Sequence, residues 1–222
     1  MPKIKPLIRK KPLRVLELFK GTGSVEKAVL ADHPDAEIIS VDILEKWKPT
    51  IVSDILDLDY KQWKPGYFDI IWASPPCTYY SSMQQFRKIS PDQKQANIDA
   101  SNRIVQHTLD IIDYLKPSRW YIENPQTGTL KNQDVVKNLQ YCDATYCKYG
   151  YPYKKKTRFW TNTPVKLKIC SSKDKCQGMI GNRHKNAIGM RKSGNGIKYE
   201  ELKLTLADRY SIPQDLLKNL LF

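Results

Sequence analysis

Short apolar runs rich in β-branched residues alternate with polar segments along the first half of the chain. Five of these runs predict β-strands, at residues 14–19, 38–43, 50–55, 67–73 and 119–125. Helical patterns follow the first and the fourth run. Strands that alternate with helices favour parallel pairing with right-handed crossovers, so the pattern predicts an open α/β sheet.

The strongest helix pattern precedes the fifth strand. Ser90 is a favourable N-cap, Pro91 fits the first helical position, and Gln93 can complete a capping box. Apolar residues then recur at helical intervals over residues 98–115, and Pro117 is expected to close the helix.

The pattern changes after residue 144. Residues 145–150 and 157–162 predict an antiparallel pair of strands around a basic loop, and residues 215–221 have a helical pattern. The chain is therefore expected to have four segments: a basic N-terminal tail (1–13), an α/β core (14–162), a basic loop-rich insert (163–198) and a C-terminal segment that packs back on the core (199–222).

Composition restricts the class of protein. The chain has 222 residues, of which 41% are hydrophobic and 27% charged, with a mean hydropathy of −0.56, and this is a globular composition. Neither the roughly 20-residue apolar run of a membrane span nor the apolar stretch of a secretory signal occurs in the sequence. We expect an intracellular protein, in the cytoplasm or the nucleoid or nucleus, without a disulfide framework.

The positive charge is concentrated in two places. Lysine and arginine exceed aspartate and glutamate by 37 to 23, a net charge of +14. Residues 1–14 carry six basic residues and no acid, and residues 144–198 carry 14 basic residues against the single acid Asp174. Such clustering is typical of proteins that bind nucleic acid.

Polar residues follow the predicted strands where a ligand of a parallel sheet would bind. Gly21 and Gly23 follow the first strand and allow close approach of the backbone to a ligand. Asp42 ends the second strand, where it can accept hydrogen bonds from a ribose diol, and Asp54 could contact an adenine or cap a turn. The dinucleotide fingerprint lacks its third glycine, so a nucleoside without phosphates, such as S-adenosylmethionine, fits better.

Ser74-Pro-Pro-Cys77 comes directly after the fourth strand. The two prolines fix the backbone and hold Cys77 at the sheet edge, beside the expected cofactor. A free cysteine is often only a small buried hydrophobe, so its neighbours decide between packing and chemistry.

The glycine turn, the Ser-Pro-Pro-Cys loop and two later motifs give the sequence a resemblance to the C5-cytosine DNA methyltransferase family. Residues 17–24 look like its cofactor motif, Ser74–Cys77 like its nucleophile motif, Glu123-Asn124 like its glutamate motif and Lys155–Trp160 like its arginine motif. The four motifs occur in family order within residues 14–162. The chain departs from the family in Pro125 after Glu-Asn, in a missing glutamine before the arginine, and in the lack of a long target-recognition domain.

The resemblance implies a Rossmann-like class I methyltransferase core and a set of site residues. Cofactor contacts are implied for Phe19, Gly21, Thr22, Gly23, Asp42, Asp54 and Pro76. Cys77 would add to C6 of the cytosine, because C5 is too weak a nucleophile unless the ring first becomes electron-rich. Glu123 at N3 and Arg158 near O2 would stabilise the charge that develops. Asn124 would hold the loop.

DNA is the expected partner, and the target base must leave the helix stack before C5 and C6 can be reached. We expect phosphate contacts from the basic segment, in particular from Lys154, Lys155, Lys156 and Arg158. Three aromatic residues near the nucleophile could stack on nucleic acid or belong to the core: Tyr79, Tyr80 and Phe86.

Cys170, Cys176 and His184 lie close together in the insert, which has little apolar material. A structural zinc ion would stabilise this segment, and it needs a fourth ligand, for which Cys142 and Cys147 are the candidates. The alternative is that these thiols bind no metal.

Three other functions stay open at this point. The same C5 chemistry could act on RNA. An exocyclic amino-methyltransferase also carries Ser-Pro-Pro, but an aromatic residue follows there, and a thiol such as Cys77 would have no purpose. A catalytically silent nucleic-acid-binding homologue would have no physical reason to keep Cys77, Glu123 and Arg158 together.

Overall fold

The structure is a computed structural model, and it describes residues 11–81, 84, 88–181, 183–184, 186–187, 200–201 and 204–222. The predicted tail at residues 1–13 therefore lies largely outside the described residues, as does Phe86. No helix in the described part of the chain is long and apolar enough to cross a membrane.

Seven strands form one sheet in the order β3-β2-β1-β4-β5-β7-β6. They are β1 (Arg14–Leu18), β2 (Glu37–Asp42), β3 (Ile51–Val52), β4 (Ile70–Ala73), β5 (Arg119–Pro125), β6 (Tyr141–Thr145) and β7 (Lys156–Thr161). The first five strands pair in parallel, and β7 lies antiparallel to both β5 and β6. The predicted open α/β sheet is confirmed.

Helices cover both faces of this sheet. They are α1 (Ser24–Asp32), α2 (Pro91–Leu115), α3 (Leu206–Tyr210) and α4 (Gln214–Leu221). Ser90 caps α2 by accepting a hydrogen bond from the backbone N–H of Gln93, whose side chain instead donates to Asn97. Only half of the predicted capping box forms.

Helix α4 fixes the end of the described chain to the sheet. Its four leucines are at most 3% exposed and join the core that α1 also covers: Leu216, Leu217, Leu220 and Leu221. The Tyr121 hydroxyl donates to the carbonyl of Leu220 at 2.5 Å, and the Arg119 guanidinium donates to that of Leu221. These side chains satisfy carbonyls that a helix C-terminus leaves without partners.

Two predicted strands differ from the structure. The strand expected at 50–55 is limited to β3, because Asp54 caps a short 3-10 helix at Ile55–Asp57. The strand expected at 145–150 lies earlier, as β6, and a 3-10 helix follows at Tyr146–Tyr149. Both Tyr146 and Tyr149 are buried. They are three residues apart, so a strand would direct them to opposite faces, whereas one turn of a 3-10 helix directs them to the same side.

In the described parts of the basic insert and of the residues that follow it, the strand pairings are short. Strand β8 (Met179–Ile180) pairs with β9 (Arg183–His184) in antiparallel orientation, and β10 (Asn186–Ala187) pairs with β11 (Glu200–Glu201) in parallel. The described part of the insert is accordingly loop-rich.

Candidate active site

A cavity of about 1120 Å³ opens at the carboxyl ends of the central parallel strands. Its walls come from the turn after β1, the ends of β2 and β4, the Ser-Pro-Pro-Cys loop, the end of β5 and the basic loop before β7. Arg209 and Tyr210 at the end of α3 and Ile212 just after it also contribute. The predicted cofactor and nucleophile motifs therefore share one space.

The turn after β1 has an unusual backbone that is held by Asp42. Phe19, Gly21 and Gly23 all have positive φ, at 59°, 50° and 64°. For a non-glycine residue such as Phe19 this conformation costs roughly 1 kcal/mol or more. The backbone N–H groups of Gly21 and Leu44 donate to the two carboxylate oxygens of Asp42, each at 2.9 Å, which ties the turn to the end of β2.

Most predicted cofactor residues line this part of the cavity: Phe19, Gly21, Thr22, Asp42, Asp54 and Pro76. Asp54 also accepts a hydrogen bond from the backbone N–H of Leu56, so its capping role and a ligand contact are compatible. Gly23 does not line the cavity. It serves as the N-cap of α1, where an added Cβ would approach Glu26 Oε2 to 3.2 Å.

Glu17 is a buried carboxyl group that the sequence pattern did not single out. It is 2% exposed, and backbone N–H groups of Val25 and Glu26 hydrogen-bond to it at the start of α1. Its Oε2 atom has no hydrogen-bond partner among the described residues, and Glu17 belongs to the cavity wall. Burial, reinforced by the charge of Glu26, raises the pKa of Glu17 to about 8.

Hydrogen bonds hold the loop that carries Cys77. The Asn124 amide donates to the carbonyl of Pro75 at 3.0 Å, and the Trp72 indole donates to the Ser74 hydroxyl at 2.9 Å. Asn124 is fully buried, so the end of β5 fixes the proline loop directly. The interpretation of Asn124 as a residue that holds this loop agrees with its contact.

Cys77 and Glu123 both line the cavity and influence each other electrostatically. Burial, and then the charge of Glu123, raise the pKa of the Cys77 thiol, whereas the charge of Lys155 opposes the shift. Glu123 is 8% exposed, and its Oε1 atom accepts a hydrogen bond from the Tyr146 hydroxyl at 3.2 Å. Burial raises the pKa of Tyr146 well above its usual value, so this hydroxyl remains a neutral donor.

Lys155 is the cation that the fold brings to Glu123. Its Nζ lies 3.9 Å from Glu123 Oε1 and 4.7 Å from the centre of the Tyr146 ring, and it donates to the carbonyl of Arg209 at 3.2 Å. Its neighbours Lys154 and Lys156 also line the cavity. The basic loop therefore forms one wall of the site.

Arg158 lies outside the cavity wall. Its guanidinium donates twice to the carboxylate of Asp143, at 2.7 and 2.8 Å, and lies 3.5 Å from the centre of the Tyr141 ring. In the pairing of β5 with β7, Glu123 faces Phe159 and Asn124 faces Arg158, so the side chains of Glu123 and Arg158 leave the sheet on opposite faces. The structure does not bring Arg158 to the cavity wall, and its contacts with base and phosphate stay predictions without support from this geometry.

The aromatic residues after β4 divide between core and surface. Tyr80 is fully buried, and its hydroxyl donates to the side chain of Asn102 on α2 at 2.8 Å. It is therefore a packing residue, not a stacking platform for nucleic acid. Tyr79 is 37% exposed and keeps an accessible ring.

A second group of chemically reactive side chains lies between the insert and the turn after β6. Cys147, Cys170, Cys176 and His184 place one potential ligand atom each within 4.8 Å of one another. The three predicted ligands thus come together, and the fourth member is Cys147. Cys142 belongs instead to the core between sheet and helices.

The strand order and the glycine turn after β1 are those of a Rossmann-like methyltransferase fold. A methyltransferase structure from Entamoeba histolytica supports the fold, with a TM-score of 0.50 and 21% identity over 72% of this chain. The chain spans 56% of the length of that structure.

Comparison with curated proteins then gives the family. The chain is 31% identical over 221 residues to a Frog virus 3 (isolate Goorha) protein named "Probable DNA (cytosine-5)-methyltransferase", across 94% of this chain and 99% of the relative. No protein-family model matches the chain. The chain belongs to the DNA (cytosine-5)-methyltransferase family, and the resemblance seen in its four motifs is confirmed.

Proposed function

We propose that this protein transfers a methyl group from S-adenosylmethionine to C5 of a cytosine in DNA, through a covalent bond between Cys77 and C6. The observation that carries the proposal is the shared cavity, with the glycine turn and Asp42 at one side and Cys77 and Glu123 at the other. The name of the Frog virus 3 relative and the basic wall of the cavity support DNA as the substrate.

The residues of the cavity fit this cofactor. Each oxygen of Asp42 uses one lone pair for a backbone N–H and retains another for a ribose hydroxyl. The unpartnered Oε2 of Glu17 suits the ammonium group of the methionine part, and this contact requires Glu17, whose pKa burial raises to about 8, to release its proton when the cofactor binds. When bound, S-adenosylmethionine supplies an electrophilic methyl group on a sulfonium.

Cys77 and Glu123 would activate the base. The resting thiol is protonated, because burial and Glu123 raise its pKa, so it must pass its proton to a base when the cytosine enters, and the Glu123 carboxylate is the acceptor in this proposal. The thiolate then adds to C6 while a proton held between Glu123 and N3 neutralises the electrons displaced into the ring, which leaves C5 nucleophilic. After methylation, the C5 proton passes to solvent water, N3 returns its proton to Glu123, the C5–C6 double bond forms again and the Cys77 thiolate leaves.

Lys155 takes the electrostatic role that the arginine motif implied for Arg158. Its ammonium group is the one that lowers the pKa of Cys77 and lies near Glu123. It can therefore stabilise both the thiolate and negative charge on the base. Arg158 would instead fix the β6–β7 hairpin through Asp143.

The test is a product assay with labelled S-adenosylmethionine and duplex DNA, in which the modified nucleoside is identified by mass. The wild type should form 5-methylcytosine, and a 5-fluorocytosine substrate should become covalently attached to Cys77. Cys77→Ala should abolish both results while cofactor affinity stays nearly unchanged. Cys142→Ala is the matched control, because Cys142 is a buried cysteine outside the cavity and should not affect the chemistry.

Other products would point to other functions. Methylation of an exocyclic amino group, or full turnover in Cys77→Ala, would contradict the covalent mechanism. Methylation of RNA but not DNA would agree with the proposed mechanism and contradict the assignment of DNA as the substrate. DNA binding without any product would indicate a silent homologue.

A further inference from the structure

The four-residue cluster in the insert has the composition and the spacing of a metal site. The Nε2 atom of His184 lies 3.1 Å from the sulfur of Cys176, 3.2 Å from that of Cys147 and 3.6 Å from that of Cys170. Zinc–sulfur bonds of about 2.3 Å and zinc–nitrogen bonds of about 2.0–2.1 Å at tetrahedral angles require sulfur–nitrogen distances of roughly 3.5 Å. The cluster is already close to that arrangement.

The ligands come from three separate parts of the chain. Cys147 lies in the 3-10 helix after β6, Cys170 and Cys176 lie in the loop of the insert, and His184 ends β9. Cys170 is 2% exposed and Cys147 is 9% exposed, so the centre of the cluster is shielded from solvent. Three thiolates and one imidazole are donors that favour zinc among common metals.

The described part of the insert has little apolar packing to fix it, apart from the partly buried Leu167. Val165 and Ile169 are 39% and 42% exposed, and Cys170 is the one buried apolar residue among the described residues 163–179. The β8–β9 hairpin has two residues in each strand. Segments of this kind need a metal or disulfides for a defined structure.

We propose that Cys147, Cys170, Cys176 and His184 bind one structural Zn²⁺ ion that fastens the insert to the β6–β7 hairpin. Four protein ligands leave no open position, so the ion has a structural role and takes no part in methyl transfer. Binding releases the protons of the three thiols to solvent, since thiolates are the ligands.

The position of Cys147 gives this ion influence on the active site. Its neighbour Tyr146 donates its hydroxyl hydrogen to Glu123 and its backbone N–H to the carbonyl of Lys155, at 3.0 Å. Lys148, on the other side, pairs with Asp174 of the insert. A metal bound to Cys147 would thus hold the segment that places Glu123 and Lys155.

The first test measures metal content by elemental analysis of protein purified from zinc-supplemented cells. We expect one zinc per chain in the wild type and in Cys142→Ser, and a loss of nearly all zinc in Cys176→Ser. A folded wild type without zinc, or equal zinc in Cys176→Ser, would overturn the proposal. The metal content does not depend on methyltransferase activity, so it separates this proposal from the proposed function.

The second test uses Co²⁺ as a spectroscopic probe and remains informative if Cys176→Ser does not fold. Wild-type protein stripped of metal should give the intense visible absorption of tetrahedral cobalt with thiolate ligands, and zinc should displace it in a 1:1 titration. An octahedral spectrum, or a native mass that shows a disulfide within the cluster and no metal, would contradict a Cys₃His site.

Discussion

Two regions of the molecule differ in the interactions that stabilise them: the cavity wall with the cofactor turn, and the basic insert. The turn and Cys77 follow the largely buried strands β1 and β4, and Glu123 lies in the buried part of β5. The insert has short strands and exposed apolar residues, and its most compact feature is the Cys₃His cluster. The protein therefore combines a site positioned by hydrophobic packing with a basic segment for which we propose a metal-binding cluster as the anchor.

The two regions meet at the turn after β6. Tyr146 faces the active site and contacts Glu123, and Cys147 belongs to the cluster. A perturbation of the core should affect the whole molecule, whereas a perturbation of the cluster should remain local except at this junction. Substitutions in the core, the cluster and the cavity wall can test that division.

The largest change in the free energy of unfolding is expected from a substitution in the core. Leu217 is fully buried where α4 packs against α1, so Leu217→Ala should lower the free energy of unfolding by about 2–5 kcal/mol. Leu30→Ala is the control, because Leu30 of α1 is 40% exposed and should cost much less. Denaturant unfolding followed by circular dichroism measures both.

Cys176→Ser completes this comparison. It should leave the unfolding midpoint of the sheet nearly unchanged but make the insert, residues 163–198, sensitive to limited proteolysis. A loss of global stability equal to that of Leu217→Ala would show that the two regions form one cooperative unit.

The next largest effect is the pH dependence of stability that Glu17 causes, and the direction of this dependence follows from the raised pKa of Glu17. The folded state keeps the Glu17 proton up to about pH 8, whereas the unfolded state loses it near its ordinary pKa of about 4.5. The contribution of this group to stability is therefore present below about pH 4.5 and is lost as the pH rises to about 8. Glu17→Gln should stabilise the cofactor-free protein at pH 8, by on the order of a few kcal/mol, and have little effect at pH 4.5.

Thermal unfolding of both proteins across this pH range measures the difference. A constant difference would mean that Glu17 titrates normally in the folded state. The same variant should bind S-adenosylmethionine more weakly, if Glu17 contacts its ammonium group as proposed.

The contrast between the regions also explains how much could be predicted from sequence. The apolar runs of β1, β4 and β5 predict strands because burial on both faces selects for continuous β-branched residues. The cofactor turn, Asp42 and Cys77 follow from those strands, since ligands of parallel sheets bind at the carboxyl ends.

Other residues depend on contacts that local patterns do not encode. Glu17 begins the predicted cofactor motif but looks like an ordinary strand residue, and the approach of Arg209, Tyr210 and Ile212 to the cavity depends on packing of α4 against α1. The Thr205–Asp208 capping box of α3 was the available signal for that region. For Arg158, the motif suggested the site, but strand alternation alone would have assigned it to the face opposite Glu123 once the register was known.

The basic wall should contribute to DNA affinity in a salt-dependent way. Neutralisation of Lys154, Lys155 and Lys156 to glutamine should weaken binding and flatten the slope of log K against log salt by up to about 0.9 for each phosphate that the variant no longer neutralises. Binding to duplex DNA at several salt concentrations, by fluorescence anisotropy, measures the slope. Lys64→Gln, at a residue outside the cavity wall, is a single-charge control, and an unchanged slope in the triple variant would show that the wall does not face DNA.

The smallest expected effect is a change in the pKa of the Cys77 thiol, which two substitutions should shift in opposite directions. Lys155 lowers the pKa of Cys77 and Glu123 raises it, so Lys155→Met should raise that pKa further and Glu123→Gln should reduce it. Since only the thiolate reacts with iodoacetamide, alkylation of the Cys77 peptide at a fixed pH near 8 should slow in the first variant and accelerate in the second. Mass spectrometry of the digested protein follows Cys77 separately from the clustered cysteines. An unchanged alkylation rate in both variants would mean that burial alone sets the reactivity of Cys77, and that the cation contributed by the basic wall does not act on the nucleophile.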